Sequence, residues 1–427
     1  MTALIRRADA FLAANLPRLV RIALLLQVCG FAFVIAGTHG AFGPQKPNTT
    51  DFASFYAAGR LADLGRAGQA YDSAAHVAME RAIIGPGVIE QRFLNPPPFL
   101  LLCAPLAHLP YLAAFIVFEA LTAGLWLLLA TRIAAGGVSQ IAAGGVSTCA
   151  AGGVSRFAGG GALAAACLAS VPAVWWALGW GQNSFVSAGL MATGTLLVRS
   201  RPLLAGAAFG ALCFKPNFGL LIPVALLAGR HWRAILGAAL SVAGLGLLSL
   251  ACFGWAAWAG FLAMAAHARA AIETGIQLSG HADLAGAARL AGVPPGWSWA
   301  LQAVASVLAA ACVAWAWSGQ RAAAARVDPA AAAAANAVLV AGTLTAMPFV
   351  LFYDLVMAGL AGAWLARAAR LRGWRPGEPA WLAIAWTLSL LAFAAAALLH
   401  LAVAVGAAPI LLWLSARRLR TLAVSKN

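Results

Sequence analysis

The sequence predicts an all-α fold, a polytopic bundle of transmembrane helices with about 11 to 13 spans. Three observations predict it. The chain of 427 residues is 63% hydrophobic and 9% charged, with a mean hydropathy of +0.86, whereas a soluble domain carries about 25% charge. Apolar runs of about 20 residues recur between short polar breaks, the length of a helical span and not of the shorter, alternating strands of a membrane barrel. The arginines gather in short clusters between those runs, as they do on the cytoplasmic side of membrane proteins. The net charge of +16 therefore reflects topology and not affinity for nucleic acid.

Taken in order, the start "MTALIRRADAFLAANLPRLVR" is basic and has no small-residue cleavage site, which predicts an uncleaved first helix with its span at 20–35. A polar first loop follows at 39–95, holding Asp51, Asp63, Asp72, Glu80 and Glu90. In "PPPFLLLCAPLAHLPYLAAFIVFEALTAGLWLLLATR", Pro105 and Pro110 break a run too long for one straight helix into a short half-helix and a span ending at Arg132. The segment 133–156 holds three copies of an eight-residue unit, too short for a solenoid repeat and rich in Gly pairs, so it reads as a tolerant cytoplasmic loop. Further spans are expected near 160–179, 183–198, 234–253, 297–317, 330–352, 355–367, 379–398 and 401–416, with a second polar loop at 254–296. The run 203–229 is interrupted by "KPN" and reads as two half-length helices. The whole, 1–427, forms one integral membrane domain.

One threading places every arginine cluster inside. It leaves outside both polar loops, the "GWGQN" turn, the Lys215 break and the "FYD" at 352–354, together with eight of the twelve acidic residues. Both termini are then cytoplasmic. The seven cysteines are scattered without a CxxC, and neither a metal-ligand cluster nor a phosphate-binding nucleotide motif occurs, so no cofactor is expected.

Several residues carry chemistry on that outer face. Asp51 follows Thr49 and Thr50 at a helix start, with Phe52, Phe55, Tyr56, Gly59, Arg60 and Asp63 at helical spacing. Such a helix is expected along the membrane surface, its aromatics among the headgroups, with Asp51 either a reactive carboxylate or a simple cap. Asp63, Asp72 and Glu80 read as solvated loop faces. Lys215, one of three lysines, interrupts an apolar run beside Pro216. A lysine at mid-helix costs about 2.5–3.5 kcal/mol, so it either lines a cavity suited to an anionic headgroup or snorkels to the interface. Gln182 and Asn183, in "WWALGWGQNSF", have the donors and acceptors that sugar hydroxyls need. Asn95 and Asp354 sit at proline- or aromatic-rich helix ends, and His281 reads as an interface residue.

Taken together, "DFASFYAAGRLADLGRAGQAYD", "RFLNPPPFLLLCAPLAHLPYLAAF", "GWGQNSF" through "RPLLAGAAFGALCFKPNFG" and "PFVLFYDL" resemble, in that order, glycosyltransferase family 87. The resemblance covers most of 48–360. It implies the GT-C fold, with surface helices in the first extracytoplasmic loop and an acidic residue just beyond the first span. It further implies an inner-membrane enzyme that moves a sugar, mannose by analogy, from a polyprenyl-phosphate donor to a lipid or glycan hydroxyl. By the family's pattern Asp51 is the general base, and the donor phosphate falls to Lys215 or Arg60. Tyr56, Asn95, Gln182, Asn183, Tyr353 and Asp354 are candidate sugar or acceptor contacts. A transporter of a small or lipid-linked solute is the alternative, since it too uses broken helices and a buried lysine.

Overall fold

The computed structural model describes residues 2–37, 51–85, 92–136, 154–275, 280–320 and 328–424. Among them the chain is helical throughout, and no strand forms beyond a single bridge between His281 and Leu351. In order, the helices are α1 (Thr2–Gly37), α2 (Asp51–Asp63), α3 (Ser73–Ile84), α4 (Leu100–Leu106), α5 (Tyr111–Ala135) and α6 (Val154–Ala169). Next come α7 (Pro172–Trp180), α8 (Ser184–Leu197), α9 (Pro202–Ala211), α10 (Ile222–Ala228), α11 (Trp232–Gly275) and α12 (Leu284–Leu290). The last six are α13 (Pro295–Ser318), α14 (Pro329–Ala346), α15 (Val356–Arg372), α16 (Glu378–Leu390), α17 (Ala392–Leu399) and α18 (Ala407–Val424).

Five of these are long and apolar enough to cross a bilayer: Ala3–Phe33 of α1, α5, Trp232–Ala266 of α11, α13 and α14. Two bent pairs, α6 with α7 (61°) and α16 with α17 (54°), bring the number to seven. The larger count expected from sequence includes shorter apolar helices, among them Ser184–Leu197 and Pro202–Phe214. The second polar loop begins inside α11, where Gly254 (φ 72°, ψ 174°) breaks the helix before it resumes to Gly275.

The centre of the bundle is α14. Its alanine-rich sequence leaves little side chain on any face, so α13, α15 and α18 pack against it and most of it is buried. Pro329 at its first position and the Asp328 side chain, accepting from Ala330 N at 2.9 Å, start it cleanly. Contact between α9 and α11 is closer still. A Cβ on Gly206 would lie 2.0 Å from the Ala234 carbonyl oxygen, an approach only glycine allows.

The first loop departs from expectation. Phe52, Phe55 and Tyr56 are buried in protein, not spread among headgroups. Phe52 packs edge-on to Phe115 (ring centroids 5.3 Å apart) and Phe55 edge-on to Phe99 (5.0 Å). Helix α4 supplies the reason: it lies so tightly over α2 that a Cβ on Gly59 would sit 2.3 Å from the Cys103 carbonyl oxygen. That sandwich buries each ring for about 1.5–3 kcal/mol. Glu80 is likewise not a solvated residue. It is fully buried with His76, whose Nε2 is 3.5 Å from its carboxylate and 3.0 Å from the Ser54 hydroxyl. Asp72 caps α3 through Ala75 N, and Asp63 meets Arg60 and His108 at the surface. Residues 48–50, ahead of Asp51, and most of the octapeptide repeat lie outside the described residues.

Candidate active site

Four elements far apart in sequence converge on Asp51. The first is α2 itself, whose opening residue it is. The second is the turn between α7 and α8, where Gly181 takes a left-handed conformation (φ 64°) and a Cβ would lie 2.4 Å from the Phe52 Cβ. Only glycine satisfies both demands, and the turn it permits sets Gln182 against α2. Gln182 is buried and donates from Nε2 to the Asp51 carboxylate. The third element is the break after α9. Two single 3₁₀ turns, Leu212–Phe214 and Pro216–Gly219, flank Lys215, whose extended backbone (φ −137°, ψ 72°) interrupts the helix as the "KPN" predicted. The fourth is the 3₁₀ turn Phe352–Leu355 between α14 and α15, bearing Tyr353 and Asp354.

Lys215 does not snorkel. Its ammonium lies 2.7 Å from Asp354 Oδ1 and 4.9 Å above the Phe218 ring, with the Tyr353 ring at 5.8 Å. Asp354 is 2% exposed and fully engaged, accepting also from the Ser184 hydroxyl (2.8 Å) and Leu351 N (3.3 Å). A candidate sugar or acceptor contact from sequence, it is paired in the structure with the Lys215 ammonium. Tyr353 is buried and shares a hydrogen bond with Gln182; burial first, then the nearby Asp51 and Asp354 charges, raise its phenol well above the ordinary value, so it stays protonated.

Burial likewise pushes the Asp51 carboxyl up to about 7 from an ordinary 3.8. The Lys215 ammonium opposes that rise, and the Asp354 and Glu80 charges add to it. Asp51 keeps partial contact with solvent, so a substrate hydroxyl can reach it. The result is a carboxylate poised near neutrality, with the half-buried Lys215 as the cation that acts on it.

The other candidates fall around this centre. Asn183 is 2% exposed with its Oδ1 unpartnered. Asn95 spends its side chain on the Phe214 carbonyl (3.1 Å), which ties the first loop to the Lys215 break. The Tyr56 hydroxyl is committed to the Leu109 carbonyl (2.7 Å). Arg60 sits nine residues along α2 from Asp51, about 13 Å by helical rise, bonded to Asp63 and Ala107 O.

Sequence reasoning missed Ser184 and the pair His281–Asp283. His281 is 4% exposed, not an interface residue, and its Nδ1 meets Asp283 Oδ2 at 2.7 Å. The pair is joined to the Asp354 turn, since Ala282 N donates to Val350 O and Val350 N donates to Asp283. The alternation of "HAD" with small residues gave no helical or ligand spacing to flag it.

Comparison with curated proteins finds no match, and neither does comparison with solved structures. The sequence profile of glycosyltransferase family 87 does match, over residues 93–341, a stretch that contains Asn95, Gln182, Asn183 and Lys215 and leaves out Asp51, 42 residues before its start, and Asp354, 13 residues after its end. That match covers more than half of a chain already seen to be a multi-helix membrane protein, and the chain therefore belongs to glycosyltransferase family 87.

Proposed function

We propose that this membrane glycosyltransferase moves a sugar from a polyprenyl-phosphate donor to a hydroxyl of a lipid or glycan acceptor, with Asp51 as general base. The observation that carries this is the Asp51 carboxyl held near pH 7 beside Lys215. A base is most effective when its pKa lies near the working pH.

In the proposed step the Asp51 carboxylate takes the acceptor hydroxyl's proton as that oxygen attacks the anomeric carbon. The new C–O bond forms as the bond from the anomeric carbon to the phosphate oxygen breaks, and the electron pair leaves with the phosphate. A lipid phosphate is a stable anion, so the leaving group needs charge stabilisation more than a proton. Lys215 supplies it, and Asp354 holds the ammonium in place until the phosphate arrives. Gln182 orients the base, and the Tyr353 hydroxyl and Asn183 amide remain to meet sugar hydroxyls. A single displacement inverts the anomeric centre, so a β-linked donor gives an α-linked product. Mannose is the sugar that the family resemblance implies.

Sidedness follows from charge. The arginines Arg199, Arg201, Arg367, Arg370 and Arg372 lie at the C-terminal ends of α8 and α15, whose N-terminal ends meet Asp51's neighbours. The positive-inside tendency puts the arginine end in the cytoplasm, which supports an extracytoplasmic site in the cytoplasmic membrane.

The test is transfer by the purified protein in lipid, supplied with a panel of polyprenyl-phosphate sugars and a lipid extract from the source cell. Labelling that depends on Asp51 is expected. Undiminished transfer by folded Asp51→Asn removes the base, and no transfer from any polyprenyl-phosphate donor removes the donor class.

A further inference from the structure

The first turn of α2 is tied to α3 by a polar network that the proposed reaction does not use. Ser54 follows Asp51 by three residues, so the two side chains lie one turn apart on one face of the helix. The Ser54 hydroxyl is 3.0 Å from His76 Nε2, and the same nitrogen is 3.5 Å from the Glu80 carboxylate, one turn further along α3. All three side chains are buried.

The geometry excludes a serine nucleophile. In a Ser–His–acid triad the two ring nitrogens are divided, one to the serine and the other to the acid. Here both oxygens meet Nε2, and Nδ1 has no hydrogen-bond partner among the described residues. Packing alone is no reason for the network either, since apolar side chains of similar volume often stabilise a core as well as a buried ionisable pair does. Such groups cluster at functional sites, where they perturb acids and bases.

The group within reach of this network is Asp51. A helix start leaves its first N–H groups without partners in the helix, so the opening turn frays most easily. Phe52 anchors this turn on its apolar side and Ser54 on its polar side, while Gln182 meets the Asp51 carboxylate itself. Glu80 also acts on Asp51 through charge, in the direction opposite to Lys215. The other titratable groups from the turns that meet Asp51 are Lys215, Tyr353 and Asp354. Helix α5 contributes buried Glu119 and Tyr111, whose ring packs on Phe52. Farther along α2, Arg60 and Asp63 bond each other, and Cys103 of α4 acts on Tyr71. Arg81, beside Glu80 on α3, is exposed.

We infer that Ser54, His76 and Glu80 are positioning residues for Asp51: Ser54 and His76 fix the turn that carries it, and Glu80 sets a second negative charge behind it. The inference rests on the reading of Asp51 as the base.

The test compares purified full-length wild type with Ser54→Ala and Glu80→Gln in lipid. A panel of polyprenyl-phosphate sugars serves as donors from pH 5 to 9, and thermal unfolding is measured on the same samples. Ser54→Ala removes the tie to His76 and should lower kcat about tenfold, with the donor KM within about twofold of wild type. Glu80→Gln keeps the shape, removes the charge and should move the midpoint of the pH–rate profile down by about half a unit. A midpoint that stays or rises overturns the role given to Glu80, and wild-type kcat in folded Ser54→Ala overturns the role given to Ser54. Activity lost only in proportion to the folded fraction, with the midpoint unmoved, marks a structural network and overturns the proposal.

A second readout needs no transfer. Asp51→Asn is made in the wild-type and Glu80→Gln backgrounds, and its rise in melting temperature at pH 8 should be smaller in the second, where less repulsion is relieved. Equal rises overturn the coupling whether or not any donor is used. A wild-type chain that transfers nothing, with unequal rises, refutes the base and keeps the coupling, so the two failures are told apart.

Discussion

If the Asp51 carboxyl is held near pH 7 by burial, the wild-type chain is less stable than it could be, and Asp51→Asn should make it more stable while abolishing transfer. Between pH 3.8 and about 7 the folded chain keeps a proton on Asp51 that the unfolded chain has released. Rising pH therefore weakens the folded state across that window, and above 7 the loss is complete. A shift of about three units corresponds to about 4 kcal/mol at most. Asparagine carries no charge to desolvate and still accepts from Gln182, though it gives up a charge-assisted bond worth about 1 kcal/mol more than its neutral replacement. The net gain expected at pH 8 is about 2–3 kcal/mol, falling by half or more at pH 5.

Thermal unfolding of both proteins in the same detergent at pH 5 and pH 8 measures this directly, because other titrating groups cancel in the difference. A variant no more stable than wild type at pH 8 would refute the buried-carboxylate assignment, and so would a gain that is the same at both pH values. Loss of stability together with loss of activity would mean that Asp51 is a structural cap.

Three further outcomes are expected. Lys215→Met should lower kcat/KM for the donor by about 10²–10³ and move the midpoint of the pH–rate profile above 7, because Lys215 is the one influence that lowers Asp51; steady-state kinetics from pH 5 to 9 reads both. Gly181→Ala should cost about 1–3 kcal/mol of stability and most of the activity, since its Cβ meets Phe52 and displaces Gln182; denaturation and transfer assays on the same sample decide it. Arg418→Met should destabilise the chain by about 3–5 kcal/mol by stranding the buried Glu378 carboxylate, while the folded fraction keeps wild-type KM for the donor.

The parts of this structure that depend on local cost were legible in the sequence. A run of apolar residues has one low-energy state in a bilayer, so the helical class followed from hydropathy. Lys215 with Pro216 is expensive in any straight span, so the break after α9 followed from two adjacent residues. What depends on partners was not legible. Whether Phe52 and Phe55 face headgroups or protein is decided by Phe99 and Phe115, some 40 to 60 residues on. The Lys215–Asp354 pair spans 139 residues, and nothing local to either marks the other. Glu80 is an intermediate case: His76 one turn earlier was visible at i, i+4 spacing, the spacing of a buried pair as much as of a solvated face.

The charge count at the site bears on the class of donor. Asp51, when ionised, and Asp354 set two negative charges around one positive charge on Lys215. An incoming phosphate must compete with Asp354 for that ammonium, and it adds its own charge to a cluster already negative. In the proposed step one phosphate can be accommodated, because Asp51 would take up the acceptor's proton and end neutral, so the developing charge on the leaving oxygen would appear as the base's charge disappears. A nucleotide diphosphate would bring at least one more charge to a single shared lysine, and Arg60, about two and a half turns along α2 from Asp51, is committed to Asp63. Under the proposed reaction the electrostatics thus favour a leaving group with one phosphate, which would compete with Asp354 for the Lys215 ammonium that this carboxylate holds in place.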